Sequence, residues 1–350
     1  MTKALVDAEK VYMKNILCWL IAIIICSIAT AQTKKLSFTS KEISRVAINA
    51  NYNYQFKAFD SNNNVITYAV NNLPAWLSYN SSAQTITGKA LKAGQYAVDI
   101  IAYTKTGTTH QQFMLTVYDK QTTDILCLGN SITNGVDTFN SYRRDLWQML
   151  HAGNYNFDLI GSWNKHHVGS DAPVPDFDMD NEGHSGWTFE QILKPPSWDS
   201  ARGNLHQWIN TYSPDIVLME LGTNDVFQCR TIDQMFGNLN VIVYLLREKN
   251  KGVKIFLAQI PPLGKQWSDK KLCGNDTTYA EAIVNFNKAI AVYAKQHSTK
   301  QSPVIVVDQF TGVDPSVDMF DDIHPNTKGE KIMAERWFDA IQPYLKKLSE

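Results

Sequence analysis

The spacing of hydrophobic positions changes near residue 120 and divides the chain into two regions. In the first, apolar side chains largely alternate with polar ones over residues 96–102 and 113–117, and a turn at Lys105–Thr108 separates the two runs. Alternation with a period of two on both sides of a turn is typical of a β-hairpin. We therefore predict a small all-β sandwich over residues 36–119, built from short strands.

The second region, residues 123–348, alternates between continuous apolar runs and helical patterns. The apolar runs predict five strands: Ile125–Leu128, Phe157–Ile160, Ile216–Leu221, Ile255–Ile260 and Val304–Val307. The amphipathic stretches predict helices: Tyr142–Leu150, Ile232–Leu246, Ala280–Ala294 and Lys328–Leu345. Apolar strands separated by helices indicate an α/β domain with a five-stranded parallel sheet covered on both faces. Functional side chains of such a domain collect at the carboxyl ends of the strands.

The amino terminus has the pattern of a cleavable signal peptide over residues 1–31. An apolar block, Ile16–Ile28, follows a lysine and precedes the small residues Ala29–Ala31. The block is short for a membrane span, so we expect cleavage after Ala31, no membrane span afterwards, and a secreted or periplasmic protein. Two acidic residues precede Met13, which is therefore the expected true start.

Composition and charge exclude several classes of partner. The 350 residues are 44% hydrophobic and carry a formal net charge of −1, without the basic excess that binds nucleic acid or anionic membranes. No His and Cys residues have metal-ligand spacing, so we predict no metal and no cofactor.

Cys229 and Cys273 lie in polar stretches; an exported protein can join them in a disulfide, and two unrelated thiols are the alternative.

Candidate chemistry follows the first and third predicted strands. Ser131 stands directly after the first strand in Gly129-Asn130-Ser131, where its hydroxyl is exposed at the carboxyl edge, although the same tripeptide is also an ordinary turn. No G-x-S-x-G pattern surrounds it, so the α/β-hydrolase template does not apply. Asn224 follows the third strand and can donate its amide to an oxyanion, or form an Asx turn.

Near the carboxyl terminus, Asp321 and His324 precede the last predicted helix. Their spacing of three lets the carboxylate hold imidazole Nδ1 and leaves Nε2 free to accept a serine proton. A lone histidine at a helix start is more often structural, and Ser131 changes that balance. Thr327 and Glu330 have the spacing of a capping box.

Between the second and third strands, residues 181–188 form a polar loop with two glycines. Gly186 allows a bare backbone N–H to face a ligand, although alone the pattern indicates a flexible loop.

Together, Ser131, Gly186, Asn224 and His324 resemble the four ordered sequence blocks of the SGNH (GDSL-like) hydrolases, over about residues 123–345. The resemblance implies a flavodoxin-like fold, Ser131 as nucleophile, His324 as general base and Asp321 as its orienting group. It also implies an oxyanion hole built from the Ser131 and Gly186 backbone N–H groups and the Asn224 amide. Asn130 departs from the pattern, because many relatives have Asp there.

Three further segments resemble carbohydrate esterase family three, the acetylxylan esterases: Ser141–Leu146, Asp158–Ser162 and Glu182–Trp187. This resemblance implies that Arg143, His184 and Trp187 contact the substrate. The alternatives are a surface ion pair for Arg143 and a core position for Trp187.

In the first region, three segments resemble cadherin-like, Ig-type modules: Leu73–Ser78, Ile86–Gly88 and Gly94–Tyr96. The combined resemblances imply a serine esterase that deacetylates a polysaccharide or oligosaccharide such as xylan. Two alternatives remain open: a lipid or thioester hydrolase on the same fold, and a non-catalytic carbohydrate-binding surface protein.

Overall fold

The computed structural model describes residues 36–136 and 138–348. In this part of the chain the first domain contains nine strands: β1 (Leu36–Phe38), β2 (Arg45–Ala47), β3 (Asn51–Gln55), β4 (Ala58–Asp60), β5 (Thr67–Asn71), β6 (Leu77–Asn80), β7 (Thr85–Lys89), β8 (Gly94–Thr104) and β9 (Gly107–Tyr118). The predicted hairpin is β8–β9, which pairs antiparallel along its whole length.

The first domain is a sandwich of two main sheets. One sheet has the order β2-β9-β8-β5 and the other β3-β7-β6, while β1 and β4 form a separate pair. Tyr52 and Ile86 from one sheet and Ile100 and Leu115 from the other share a single buried core. Inward side chains from both sheets form that core because every second residue of each strand faces it. The predicted Ig-like sandwich is confirmed.

The second domain is built on a parallel sheet. Its strands are β10 (Thr123–Gly129), β11 (Phe157–Ile160), β12 (Glu182–Gly183), β13 (Ile216–Glu220), β14 (Lys254–Gln259) and β15 (Val304–Asp308). Five of them follow the order β11-β10-β13-β14-β15, which is the flavodoxin-like arrangement. The predicted α/β fold is confirmed, with β12 as an addition that pairs with the end of β10. β12 is only two residues long, which is too short for a hydrophobic period to be recognised in the sequence.

Helices cover both faces of this sheet. Within the described residues they are α1 (Ser131–Asn134), α2 (Tyr142–Ala152), α3 (Phe189–Leu193), α4 (Leu205–Trp208), α5 (Thr223–Phe227), α6 (Ile232–Lys249), α7 (Lys265–Ser268), α8 (Tyr279–His297), α9 (Pro315–Asp318) and α10 (Thr327–Ile341). Two separate cores result. One packs α6 and α8 against the sheet, and the other packs α2 and α10 against the opposite face.

An ionic contact joins the two domains. Arg45 on β2 donates to Asp124 on β10 at 2.7 and 2.9 Å and lies 3.2 Å from Asp158 on β11. Burial raises the pKa of Asp158, and the Arg45 charge opposes that rise. The interface therefore depends on the pairing of Arg45 with carboxylates of the second domain.

Outside the sheet, Cys229 and Cys273 form a disulfide, with Cα atoms 6.2 Å apart. It joins the turn after α5 to the short 3₁₀ helix Leu272–Gly274. The predicted signal peptide, residues 1–31 with its start at Met13, lies outside the described residues. Among the helices described, none combines the length and hydrophobicity needed to cross a bilayer.

Candidate active site

Ser131 lies at the carboxyl edge of β10, where it opens the short helix α1. Asn130 caps this helix, since its Oδ1 accepts a hydrogen bond of 2.8 Å from Ile132 N. Gly129 allows the turn, because a Cβ at that position would lie 2.6 Å from the Glu220 carbonyl oxygen on β13. The neighbouring strand thus leaves room for no side chain at Gly129, and the chain turns sharply into the serine.

His324 connects Ser131 to Asp321 by two short hydrogen bonds. The distance from Ser131 Oγ to His324 Nε2 is 2.7 Å, and the distance from His324 Nδ1 to Asp321 Oδ2 is also 2.7 Å. This geometry places the Nδ1 proton on the carboxylate side and leaves Nε2 to accept the serine proton. The imidazole side chain remains 18% exposed, so a substrate can reach it.

Asp321 is held by the backbone of its own loop. Its Oδ1 accepts hydrogen bonds from His324 N at 2.7 Å and Ile323 N at 3.1 Å. Partial burial alone would raise the pKa of Asp321, but these hydrogen bonds and the His324 ring together lower it below the usual value. The carboxylate therefore stays ionised as the partner of the imidazole.

The adjacent carboxylate, Asp322, is turned away from the imidazole. Its backbone has φ +67°, its carbonyl accepts from Gly264 N at 2.9 Å, and its Oδ2 accepts from Gln266 N at 3.1 Å. Asp322 therefore fixes the loop before α7 and leaves Asp321 as the partner of His324.

The last helix begins differently from the sequence-based expectation. Asn326 caps α10 by accepting from Lys328 N and Gly329 N, so the capping box predicted for Thr327 and Glu330 is wrong. Glu330 instead accepts from Ser141 N at 2.6 Å, which joins α10 to the start of α2. Because Asn326 is the N-cap, Thr327 already lies inside the helix, and the Glu330 carboxylate satisfies a buried backbone N–H of another segment.

The loop containing Gly186 is bonded on both sides to the helices that carry Ser131 and Asn224. Gly186 has φ +82°, a conformation that favours glycine. Ser185 Oγ donates to Asn134 Oδ1 on α1 at 3.2 Å, and Asn224 Nδ2 on α5 donates to the Trp187 carbonyl at 2.9 Å. The structure therefore brings the Gly186 backbone and the Asn224 amide to the edge of the sheet that carries Ser131.

His184 and Trp187 are not at the surface, which corrects the expectation that they contact substrate. Their residues are only 1% and 0% exposed. The His184 ring is stacked against both Trp187, at 4.3 Å, and Trp208, at 4.7 Å, whose own ring centroids are 6.2 Å apart. Its Nε2 lies 2.9 Å from Glu182 Oε2. Glu182 also accepts from the Tyr212 hydroxyl at 2.6 Å. These rings support the Gly186 loop from beneath.

Arg143 is also fully buried, which corrects its predicted place at the substrate and excludes the alternative of a surface ion pair. Its guanidinium donates to the backbone carbonyls of Thr133 at 2.8 Å, Asn134 at 3.1 Å and Met179 at 2.9 Å. Since Thr133 and Asn134 end α1, Arg143 satisfies carbonyls that this short helix cannot pair internally. It positions the helix that begins at Ser131.

Two residues near the site were missed in the sequence. Trp198 is 66% exposed beside Gly186 and follows a Pro-Pro pair, a signal for a fixed surface turn. Glu220 ends β13 and is completely buried next to Asn130. Burial raises the pKa of Glu220 to about 8, and the nearby Asn130 amide lowers it only in part. An acidic residue inside an apolar strand was the available signal for Glu220.

No metal-binding cluster accompanies these residues in the described part of the chain, where no three His, Cys, Asp or Glu side chains are placed to hold an ion. The arrangement is that of a serine nucleophile, an imidazole base with an ionised orienting carboxylate, and polar N–H donors nearby. Such a set can perform acyl transfer.

Comparisons with known proteins point to the same chemistry. Residues 127–332 match the profile of the GDSL-like lipase/acylhydrolase family, and residues 36–118 match a putative Ig domain. A multidomain esterase from Ruminococcus flavefaciens is 32% identical over 236 residues. That match covers 64% of this chain and only 29% of the relative's length.

Two solved structures resemble the second domain. One is an acetyl esterase mutant with an acetate ion: 28% identity, TM-score 0.50, covering 63% of this chain and 97% of that protein. The other is a carbohydrate esterase family 3 protein from Talaromyces cellulolyticus, with 28% identity, TM-score 0.51 and the same coverage.

Proposed function

Because this chain belongs to the GDSL-like lipase/acylhydrolase family, we propose that it is an exported serine esterase that removes O-acetyl groups from a polysaccharide such as xylan. The observation that carries the proposal is the Ser131–His324–Asp321 arrangement, in which both connecting distances are 2.7 Å. These contacts link a nucleophile, a base and an ionised carboxylate at the carboxyl edge of the sheet.

In the proposed reaction, Ser131 Oγ attacks the ester carbonyl carbon while His324 Nε2 takes its proton. Asp321 stabilises the imidazolium that forms. The negative charge on the carbonyl oxygen is stabilised by donors at Ser131 N, Gly186 N and the Asn224 amide. His324 then gives its proton to the departing sugar oxygen, which leaves an acetyl group on Ser131.

Water completes the cycle. His324 removes a proton from water, the hydroxide attacks the acetyl-serine carbonyl, and Ser131 leaves with the proton returned by the imidazole. The products are acetate and the free sugar hydroxyl, and the chain ends in its starting state.

The substrate class is supported by the names of similar proteins. The two solved structures at 28% identity are described as an acetyl esterase and as a carbohydrate esterase of family 3. An Ig-like domain beside the hydrolase domain suits an extracellular protein acting on a polymer, where it serves as a spacer or a carbohydrate-contacting module.

Export is supported by two independent features. Residues 1–31 have the signal-peptide pattern, and the Cys229–Cys273 disulfide is of a kind that persists in oxidising compartments.

The test is acetate release from acetylated xylan, mannan and pectin, with a fatty-acyl ester and an acyl thioester measured alongside. We expect acetate release from at least one acetylated polysaccharide and much slower cleavage of the fatty-acyl ester. Faster hydrolysis of the fatty-acyl ester or the thioester would replace this proposal with a lipid or thioester hydrolase. No hydrolysis of any ester would favour a non-catalytic binding protein.

A further inference from the structure

Trp198 is an exposed aromatic residue beside the proposed oxyanion site. It is 66% exposed, and a Cβ added to Gly186 would lie 3.8 Å from its Cη2 atom. Among the residues that the structure describes, its indole has no hydrogen-bond or ring partner. A large apolar ring in this position packs against little of its own protein and faces the space next to Gly186.

The segment that carries Trp198 is restricted by two prolines before it and by two hydrogen bonds after it. Trp198 belongs to the 3₁₀ helix Ser197–Arg202, which follows two prolines. Next to it, Asp199 Oδ2 accepts a hydrogen bond of 3.2 Å from the buried Trp187 Nε1. At the end of the helix, the Arg202 carbonyl accepts from Trp208 Nε1 at 2.8 Å.

Both anchoring indoles, Trp187 and Trp208, belong to the buried core beneath the Gly186 loop. The backbone around Trp198 is therefore attached to the same rings that support Gly186. Since the backbone after Trp198 is anchored and only the Trp198 ring is exposed, binding has to order the side-chain torsions of one residue and not a mobile loop.

We infer that Trp198 forms a sugar subsite, on which a pyranose ring of the acetylated substrate stacks. This inference rests on the proposed function and names the part of the surface that recognises the carbohydrate. The electron-rich face of an indole attracts the weakly positive C–H groups on the face of a pyranose ring. Sugars are neutral and amphipathic, so they can bind an uncharged aromatic plane without an ion pair.

The position of the subsite follows from the reaction geometry. The ester carbonyl oxygen must point to the Gly186 N–H while the carbonyl carbon meets Ser131 Oγ. The sugar ring begins two bonds from that carbon, so this ring or its neighbour in the polymer falls within about one ring width of Gly186. Trp198 lies within that distance of Gly186, since its Cη2 atom would be 3.8 Å from a Cβ added to Gly186. The competing possibility is that Trp198 limits the length of the acyl chain.

The decisive comparison uses Trp198→Ala with two substrates, acetylated xylo-oligosaccharides and triacetin, which has no sugar ring. On the oligosaccharides we expect kcat/KM to fall by about tenfold, mainly through KM, with a several-fold smaller loss on triacetin. Trp198→Phe should recover part of the oligosaccharide activity. Tyr244→Ala is the matched control, because Tyr244 is 60% exposed on α6 and lies beside Arg247 and Ser302, before the start of β15. This variant should behave as wild type.

Equal losses on both substrates, or no loss on the oligosaccharides, would overturn the subsite. If Trp198→Ala instead gained activity on butyrate or octanoate esters, Trp198 would be a wall of the acyl site and the inference would be wrong.

A binding measurement separates this inference from the proposed function. Acetylated xylo-oligosaccharide is titrated calorimetrically into the inactive Ser131→Ala variant, with and without Trp198→Ala. Weaker binding in the double variant by about tenfold supports the subsite even if turnover is slow. Unchanged affinity, or no binding to Ser131→Ala, overturns it. Failure of wild type to release acetate from any polysaccharide is a separate result, and it overturns the proposed function.

Discussion

Replacing Arg143 with lysine tests whether this buried guanidinium positions the helix that begins at Ser131. Arg143 donates to three backbone carbonyls, at 2.8, 2.9 and 3.1 Å, from a fully buried position. A lysine keeps the charge but places a single ammonium at the end of its stem, and it cannot reproduce the planar fork that reaches all three. Two of these carbonyls have a second donor, because Ser141 Oγ donates to Thr133 O at 2.9 Å and Asn181 Nδ2 donates to Met179 O at 2.8 Å. We therefore expect Arg143→Lys to leave the Asn134 carbonyl without a partner.

The magnitude follows from the cost of such groups. A buried carbonyl that loses its only hydrogen bond costs about 1–2 kcal/mol of unfolding free energy. For a domain of this size, that corresponds to a fall in Tm of roughly 2–8 °C. Because Thr133 and Asn134 end the helix that begins at Ser131, kcat should also fall by at least about tenfold through misplacement of the nucleophile.

The assay is thermal unfolding together with steady-state hydrolysis of a simple acetate ester. Arg144→Lys is the matched control on the neighbouring position, because Arg144 forms a partly exposed ion pair with Asp176 at 2.6 Å. Such pairs contribute less than about 1 kcal/mol, so this control should stay close to wild type in both measurements. A Tm and kcat for Arg143→Lys indistinguishable from those of Arg144→Lys would refute the reasoning.

Three further outcomes are expected. His324→Ala should lower kcat/KM on acetate esters by about a thousandfold or more, because it removes the base. The loss for Asp321→Ala should not exceed the loss for His324→Ala, because Asp321 only orients the base, and a larger loss would contradict these roles. Alkylation without reductant, followed by intact-mass analysis, should leave Cys229 and Cys273 unmodified, and labelling of both would show that they are not bridged. Because burial raises the pKa of Glu220 to about 8, above its unfolded value, the stability it contributes is present at low pH and is lost as pH rises through about 8. Between about pH 5 and about pH 8, the free energy of unfolding should therefore fall more for wild type than for Glu220→Gln, and parallel curves would argue against a buried neutral carboxyl.

The strands of the second domain and the candidate site residues were accessible from the sequence because they depend on local patterns, whereas the strand order was implied only by the family resemblance. Ser131 follows an apolar strand directly, and Asp321 and His324 are separated by one short loop. The rule that parallel strands expose function at their carboxyl ends then brings Ser131 and Asn224 to one edge without any knowledge of side-chain packing.

The burial of His184 was not accessible, because its partners lie elsewhere in the sequence. The loop around it is polar and contains two glycines, which is typical of a surface segment. Trp208, more than twenty positions later, covers one face of its ring, and Tyr212 satisfies the carboxylate of Glu182. A polar loop becomes part of the core when distant residues supply its hydrogen bonds.

Helix ends show the same limit. The last amphipathic pattern predicts a helix to Leu345, whereas α10 ends at Ile341 and a 3₁₀ turn containing Pro343 follows. At its start, Glu330 had the correct spacing for a capping box, but the Ser141 N–H on α2 competes for the same carboxylate. Local spacing therefore predicted the helix, while tertiary contacts determined its ends.

The central claim is that Ser131 performs the covalent step of a carbohydrate deacetylation. The most direct test is the rate of acetate release from one acetylated xylan preparation by wild type and Ser131→Ala, with both proteins first shown to have the same Tm. Wild type should release acetate, and the variant should be slower by about a thousandfold or more, as expected when the nucleophile of a catalytic triad is removed. Acetate release by Ser131→Ala at a rate close to wild type would contradict the account.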